Sequence, residues 1–312
     1  MPRYRHALPQ LSGQPILTDG GMETVLLFHE GIDLPHFASY PVLRDEAGRE
    51  LIARYFDRFV QLAGSHDVGL ELGSTTWRAS PDWVEKIDGS REATAGINRQ
   101  AIDFLTTYRD QQTSDTPMPI SGSVGPRGDG YVADNKMSPD DAAEYHRTQI
   151  EAIAGTEADL ITVFTLNYVD EAIGIARAAA TAGIPAALSF TLETDGRLPT
   201  GQPLDEAIQQ VDEATDAAPA YYMINCAHPT HFADAIRTDA GWLDRLRGLR
   251  VNASKLSHAE LDAATELDEG DPIDLASRFR DLHDRLPDLA VFGGCCGTDY
   301  RHIEAIAEAC FA

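Results

Sequence analysis

Three of the four cysteines in this chain are of a type and spacing that could share one ligand. Cys295 and Cys296 are adjacent in "VFGGCCGTDY" (291–300), and Cys226 lies 69 residues upstream in "YYMINCAHP" (221–229). Neighbouring side chains on a strand point to opposite faces. Both thiols of the pair therefore reach one site only if the chain turns sharply there. Structural zinc sites use four protein ligands, usually in CxxC-type pairs, whereas three ligands and a vacancy is the catalytic pattern. Soft thiolates select zinc over hard cations such as magnesium. The residues also admit a strained vicinal disulfide, an inert buried pair, or a cysteine nucleophile served by His228. An open zinc site of Cys226, Cys295 and Cys296 accounts for the pattern best. Gly293, Gly294 and Gly297 are expected to relax the backbone around the pair. Thr298 is expected to cap a final helix whose electropositive end favours thiolates. Cys310 falls in that helix and reads as a small buried apolar residue.

The elements that position these cysteines follow a rhythm. Eight short apolar runs, at 15–21, 68–77, 118–125, 158–167, 184–193, 220–229, 246–254 and 289–297, end in Gly, Thr, Asn, Cys or other polar residues. In the seventh the strand is expected near the end of the run. Helical patterns lie between the runs, including "DDAAEYHRTQIEAIAG" (140–155) and "DEAIGIARAAATAG" (170–183), apolar at i, i+3, i+4 and closed by Gly. Eight strand-then-helix units predict one (β/α)8 barrel domain over residues 1–312. Runs that are continuously apolar suit parallel strands covered on both sides. A doubly wound sheet is the competitor, but "TDGGMETV" (18–25) is not its G-x-G-x-x-G fingerprint. In a barrel the active site forms at the C-terminal strand ends. That is where Asp19, Thr75, Thr76, Ser121, Ser123, Asn225, Asn252 and the three cysteines fall.

Composition excludes several partners. The formal net charge is −25, with only three lysines, Lys86, Lys136 and Lys255. Nucleic acid and anionic membrane both call for a basic patch. No run approaches the roughly 18 apolar residues of a membrane span, and "MPRYRHALPQLSGQP" (1–15) has no secretory apolar core. Four irregularly spaced cysteines are no disulfide scaffold, so a reducing, cytoplasmic setting is expected.

"INCAHP" (224–229), "GGCCGT" (293–298) and "TDGG" (18–21) together resemble the zinc-dependent homocysteine S-methyltransferases. "GSVGPRGDGY" (122–131) looks like that family's strand-three turn, and "SFTLETDGRLPTGQPLDEAI" (189–208) like its strand-five stretch. The resemblance covers nearly the whole chain and implies a (β/α)8 barrel. It implies that Cys226, Cys295 and Cys296 bind Zn2+, that Asp19 helps hold a substrate amino group, and that Gly20 and Gly21 let backbone N–H groups approach its carboxylate. In one place the chain departs from the pattern. The family often has a Glu at the end of strand four that binds the substrate ammonium; "TVFTLNYVDEA" (162–172) has Phe164 there. Glu71, an acid within the apolar strand "LELGSTTW" (70–77), is the expected replacement; pairing with a barrel arginine or facing outward is the alternative.

The activity so implied is methyl transfer to the thiol of homocysteine, giving methionine. A free thiol is only a few per cent thiolate at neutral pH, and zinc ligation deprotonates it. The methyl would come from a sulfonium, ammonium or other activated donor, with Trp77, Phe164 or Tyr168 offering cation–π contacts. The partners are then a small-molecule thiol and a methyl donor. Alternatives are another thiol or seleno acceptor, a non-catalytic zinc-binding barrel, and a zinc hydrolase. The last is disfavoured because all-thiolate ligation acidifies water poorly.

Overall fold

The computed structural model describes residues 1–236 and 241–311. Nine parallel strands form one sheet: β1 (Ile16–Leu17), β2 (Gly69–Leu70), β3 (Leu72–Gly73), β4 (Ile120–Val124), β5 (Leu160–Leu166), β6 (Ala186–Thr191), β7 (Tyr221–Asn225), β8 (Leu246–Val251) and β9 (Val291–Gly294). Their order is β2-β1-β9-β8-β7-β6-β5-β4-β3. β2 pairs with β1 and β3 with β4, and only Glu71 separates β2 from β3. The two are halves of one strand, so the sheet closes as an eight-position (β/α)8 barrel, as the runs predicted. Among the described residues, no helix is long and apolar enough to cross a membrane.

The seventh strand begins its run instead of ending it. β8 stops at Val251 because the next backbone N–H groups leave the sheet: Asn252 donates to Ala227 O and Ala253 to Cys296 O. Residues 252–254 thereby become part of the barrel mouth.

The helices form where the apolar spacing placed them. Helix Glu46–Ser65 starts on Asp45, whose carboxylate accepts from Gly48 N–H, and buries Ile52, Phe56, Phe59, Val60 and Ala63 on one face. Helix Pro139–Ala154 starts on the Ser138 hydroxyl. Helix Val169–Ala182 ends on Gly183 in the left-handed conformation, φ 70°, where glycine avoids the Cβ clash. Gly155 also ends its helix, but at φ −73°, where any residue fits. Between helices and sheet lie fully buried Phe56, Phe59, Phe190 and Phe292. Each contributes roughly 1.5–3 kcal/mol relative to exposure.

Strand residues alternate between this outer layer and the barrel interior. Leu160, Ala187, Tyr221, Met223 and Val291 point inward at the strand starts and pack with Leu8. The N-terminal segment seals that end. Tyr4 N–H donates to Asp159 Oδ1 at 2.6 Å, Arg5 donates to the carbonyls of Ala154, Thr156 and Ala158, and Gln10 donates to the Tyr221 hydroxyl at 3.1 Å. The opposite end is open.

Candidate metal and substrate site

At the open end, Cys226 leaves β7 with φ 53°, a conformation uncommon outside glycine and one that concentrates at functional sites. Neighbouring loops hold it there: its N–H donates to Arg250 O at 3.1 Å, and its carbonyl lies 2.6 Å from His258 Nε2. Beyond β9 the chain makes the sharp turn that two adjacent inward thiols require. Thr298 N–H and hydroxyl both donate to Cys295 O, at 3.1 and 2.7 Å, and Gly297 takes φ 77°. Gly293 and Gly294 serve differently from expectation. They are strand residues whose missing Cβ makes room for the Thr18 and Thr298 side chains.

Thr298 is not the helix cap, because its hydroxyl is engaged by Cys295 O and Gly21 N–H. The last helix starts at Tyr300, and Asp299 Oδ1 accepts from Arg301 N–H at 2.9 Å. Burial dominates at the free thiol, pushing Cys296 up. The Cys310 thiol is likewise pushed up, to about 11, by burial.

The three sulfurs converge, all within 4.8 Å of one another. Cys226 and Cys296 are 3.7 Å apart, while Cys226 and Cys295 are joined as a disulfide and Cys296 is free. The pairing therefore bridges β7 and β9 and is not vicinal. Zn–S bonds of about 2.3 Å in a tetrahedron separate two sulfurs by about 3.8 Å. The Cys226–Cys296 spacing fits such a site, and reduction of the disulfide makes Cys295 the third donor. Tyr131 closes over the group. Its hydroxyl lies 3.5 Å from Cys226 Sγ and 3.7 Å from Cys296 Sγ, and its ring lies against His258, centroids 4.2 Å apart. Asn225 Nδ2 is 3.9 Å from Cys295 Sγ.

A cavity of about 430 Å³ opens above the sulfurs, with Asp19, Gly20, Gly21, Phe164 and Arg250 in its wall. Asp19 is there as expected, but already paired: Arg250 Nη1 lies 2.7 Å from Oδ1, and the Tyr55 hydroxyl donates to Oδ2 at 3.0 Å. Gly21 N–H donates to Thr298, so only Gly20 keeps an N–H without a described partner. A Cβ at Gly21 would stand 2.5 Å from Cys295 O, so this glycine serves close packing.

Glu71 does not reach the cavity wall. It is buried inside the barrel, with Oε1 accepting from Thr162 at 2.9 Å and Oε2 unpartnered. Its place between β2 and β3 turns it inward below the mouth, and burial pushes its carboxyl up. Glu23 does line the cavity, beside Asp19. Ser39 donates to its Oε1 at 2.8 Å, no described group donates to Oε2, and burial pushes it up.

The aromatic faces expected for a cationic donor are partly covered. Arg250 lies 4.9 Å from the Phe164 ring centre, and Arg78 is 4.1 Å from that of Trp77. Tyr168 is outside the cavity, its hydroxyl accepting from Met137 N–H. Phe164 takes its place through an irregularity in β5 between Val163 and Leu166. Thr165 there has φ 63°, clamped by Asn225, whose Oδ1 accepts from its N–H and whose Nδ2 donates to its hydroxyl. His228 is not a base for Cys226. It is buried, caps helix Pro229–Phe232 by accepting from Thr230 N–H, and is pulled down to about 4 by burial.

The homocysteine S-methyltransferase family model matches residues 16–310. The chain belongs to the homocysteine S-methyltransferase family. Within that family it is 26% identical to homocysteine S-methyltransferase 4 of Zea mays, over 96% of this chain and 90% of the maize protein. Its fold is that of the Escherichia coli homocysteine methyltransferase MmuM. The metallated form superposes with a TM-score of 0.72 (22% identity, 96% of this chain and 98% of that one), the oxidized form with 0.75 (22% identity, 98% and 99%). This homocysteine S-methyltransferase family member carries Glu23, Arg78, Tyr131, Arg250 and His258 at the mouth, none of which sequence reasoning had assigned. A charged residue shortly after a strand end was the available signal for Glu23 and Arg78. Arg250 carried none, lying inside a strand run.

Proposed function

We propose that this family member is a zinc-dependent methyltransferase acting on the thiol of homocysteine to give methionine, in the cytoplasm. The observation that carries the reading is the convergence of Cys226, Cys295 and Cys296 at the open end of the barrel. All three serve as zinc ligands once the Cys226–Cys295 disulfide is reduced. A zinc ion bound there supplies acidification of the acceptor thiol, so that its sulfur is a nucleophile at neutral pH.

The chain's own residues hold and align the reactants. Glu23 Oε2, with Asp19 beside it, receives the amino group of the acceptor in the role Phe164 cannot fill. Gly20 N–H faces the acceptor carboxylate. The Tyr131 hydroxyl donates toward the sulfurs, steadying their charge, and its ring with Phe164 keeps water off the reacting pair. The acceptor sulfur forms a bond to the donor's methyl carbon as the carbon–heteroatom bond of the donor breaks. That electron pair leaves with the demethylated donor, and the thiol proton goes to solvent. Orientation of the two reactants is the protein's main contribution.

A second reading, a thiol acceptor without an α-amino group, is favoured by the Asp19–Arg250 pair, which neutralises one candidate carboxylate. Calorimetry of L-homocysteine binding to reduced, zinc-loaded protein separates the two. Micromolar binding with one proton released supports homocysteine. Retained zinc without homocysteine binding turns the search to other thiols.

A further inference from the structure

Arg78 is a buried cation with no carboxylate in contact, and Asp129 and Glu171 act on it only at a distance. It follows β3 at the barrel mouth, is 7% exposed, and lines the same cavity as the sulfurs. Its guanidinium lies between two indoles, 4.1 Å from the ring centre of Trp77 and 4.0 Å from that of Trp83. Nη1 donates to Gly128 O at 2.8 Å; Nε has no partner, and no described carboxylate forms an ion pair with it. Burial pulls it down only to about 10, so it is charged at neutral pH. In a chain with 50 acidic and 25 basic residues, a carboxylate partner was readily available to any arginine. The other cavity arginine, Arg250, has Asp19. A buried, unpaired charge is costly unless something else pairs with it.

Topology says which reactant meets Arg78. In the closed sheet, the β2–β3 position lies four strands from β7 in either direction. Arg78 therefore stands across the mouth from Cys226, while Asp19 and Gly20 follow β1, which lies between the β2–β3 position and β9. A donor must deliver its methyl to a sulfur lodged among the cysteines, so its body occupies the opposite wall. The loop from Gly128 to Tyr131 joins the two, holding Arg78 at one end and contacting the Cys226 and Cys296 sulfurs at the other.

We propose that Arg78, clamped between Trp77 and Trp83, seats a carboxylate of the methyl donor. The inference rests on the methyl-transfer reading above. The planar guanidinium suits carboxylate geometry, and indole stacking fixes its orientation in advance. Donors are thereby selected for an acid group distant from the methyl. A methylated cation without one has neither a counter-charge nor a free face of these rings on the guanidinium side.

The test is calorimetric binding of S-methyl-L-methionine and glycine betaine, each against its own carboxamide, to reduced zinc-loaded protein. The wild type binds at least one carboxylate about 10- to 100-fold more tightly than its amide, the range of a charge-assisted hydrogen bond. Arg78→Gln abolishes that preference with amide binding unchanged, and Arg78→Lys restores part of it; circular dichroism and thermal melts establish that both variants are folded. A preference that survives in Arg78→Gln, an equal loss for acid and amide, or a wild type that binds none of the carboxylates overturns the proposal. Homocysteine binding and methionine formation are measured separately on the wild type. Their failure with the Arg78-dependent preference intact sinks the methyl-transfer reading and not the carboxylate seat.

Discussion

Arg250 Nη1 lies 2.7 Å from Asp19 Oδ1, and both side chains are largely withdrawn from solvent. The same guanidinium donates to Gly294 O and Gly20 O, each at 3.0 Å, so one side chain ties β8 to the exits of β1 and β9. Replacing Arg250 by Met leaves Asp19 buried without its counter-charge, with only the Tyr55 hydrogen bond. Loss of one partner of a buried pair costs about 3–5 kcal/mol, read as a lower urea midpoint at unchanged slope. Adding Asp19→Asn recovers part of it.

Glu23→Gln removes the Glu23 carboxylate from the cavity while keeping the shape and the Ser39 hydrogen bond. A lost charge-assisted contact to an ammonium corresponds to roughly a 10- to 100-fold rise in the KM for homocysteine. The kcat changes less than about threefold, because the amino group is bound alike before and during reaction. Steady-state kinetics with the donor saturating decides it.

Glu71→Gln acts on stability and leaves acceptor binding alone, since Glu71 meets Thr162 inside the barrel and not the cavity. Its folded pKa is raised above 4.5 by burial. The neutral carboxyl is therefore tolerated below pH 4.5, and stability is lost as pH rises from there through the folded value. Glu71→Gln removes that decline, so the variant gains on the wild type towards alkaline pH in urea titrations. A fall in homocysteine affinity in this variant would return Glu71 to the substrate site.

Cys226→Ser, Cys295→Ser and Cys296→Ser each lose tight zinc, from about one ion per chain to a small fraction by elemental analysis. Cys310→Ser keeps it, being in the last helix. Protein handled without reductant takes up no zinc through this trio until the Cys226–Cys295 bond is opened. Full zinc uptake by the oxidised wild type counts against these ligands.

The barrel and its cysteines were legible because their signals are local. Continuous apolar runs mark buried parallel strands, and "GGCC" beside "INC" marks a sulfur cluster. The substrate wall was not legible, for a geometric reason. Glu71 looked exceptional in an apolar strand, yet a strand residue's direction depends on register, and its register sends it beneath the mouth. Glu23 sits in the first turn after "TDGG", where an acid is also ordinary helix chemistry. Arg250 and Asp19 are joined by closure of the sheet, across more than two hundred residues, which no local pattern encodes. Gly293 and Gly294 showed the same limit: glycine signals permissiveness, but what needed the room was the Thr18 and Thr298 side chains on other segments.

The floor of the barrel has a kinetic meaning. Tyr4, Arg5 and Gln10 lock the N-terminal segment across the strand starts, so both reactants and both products share one doorway. Nothing can be pushed out through the far end of the barrel, and each product has to leave past whatever has already come in.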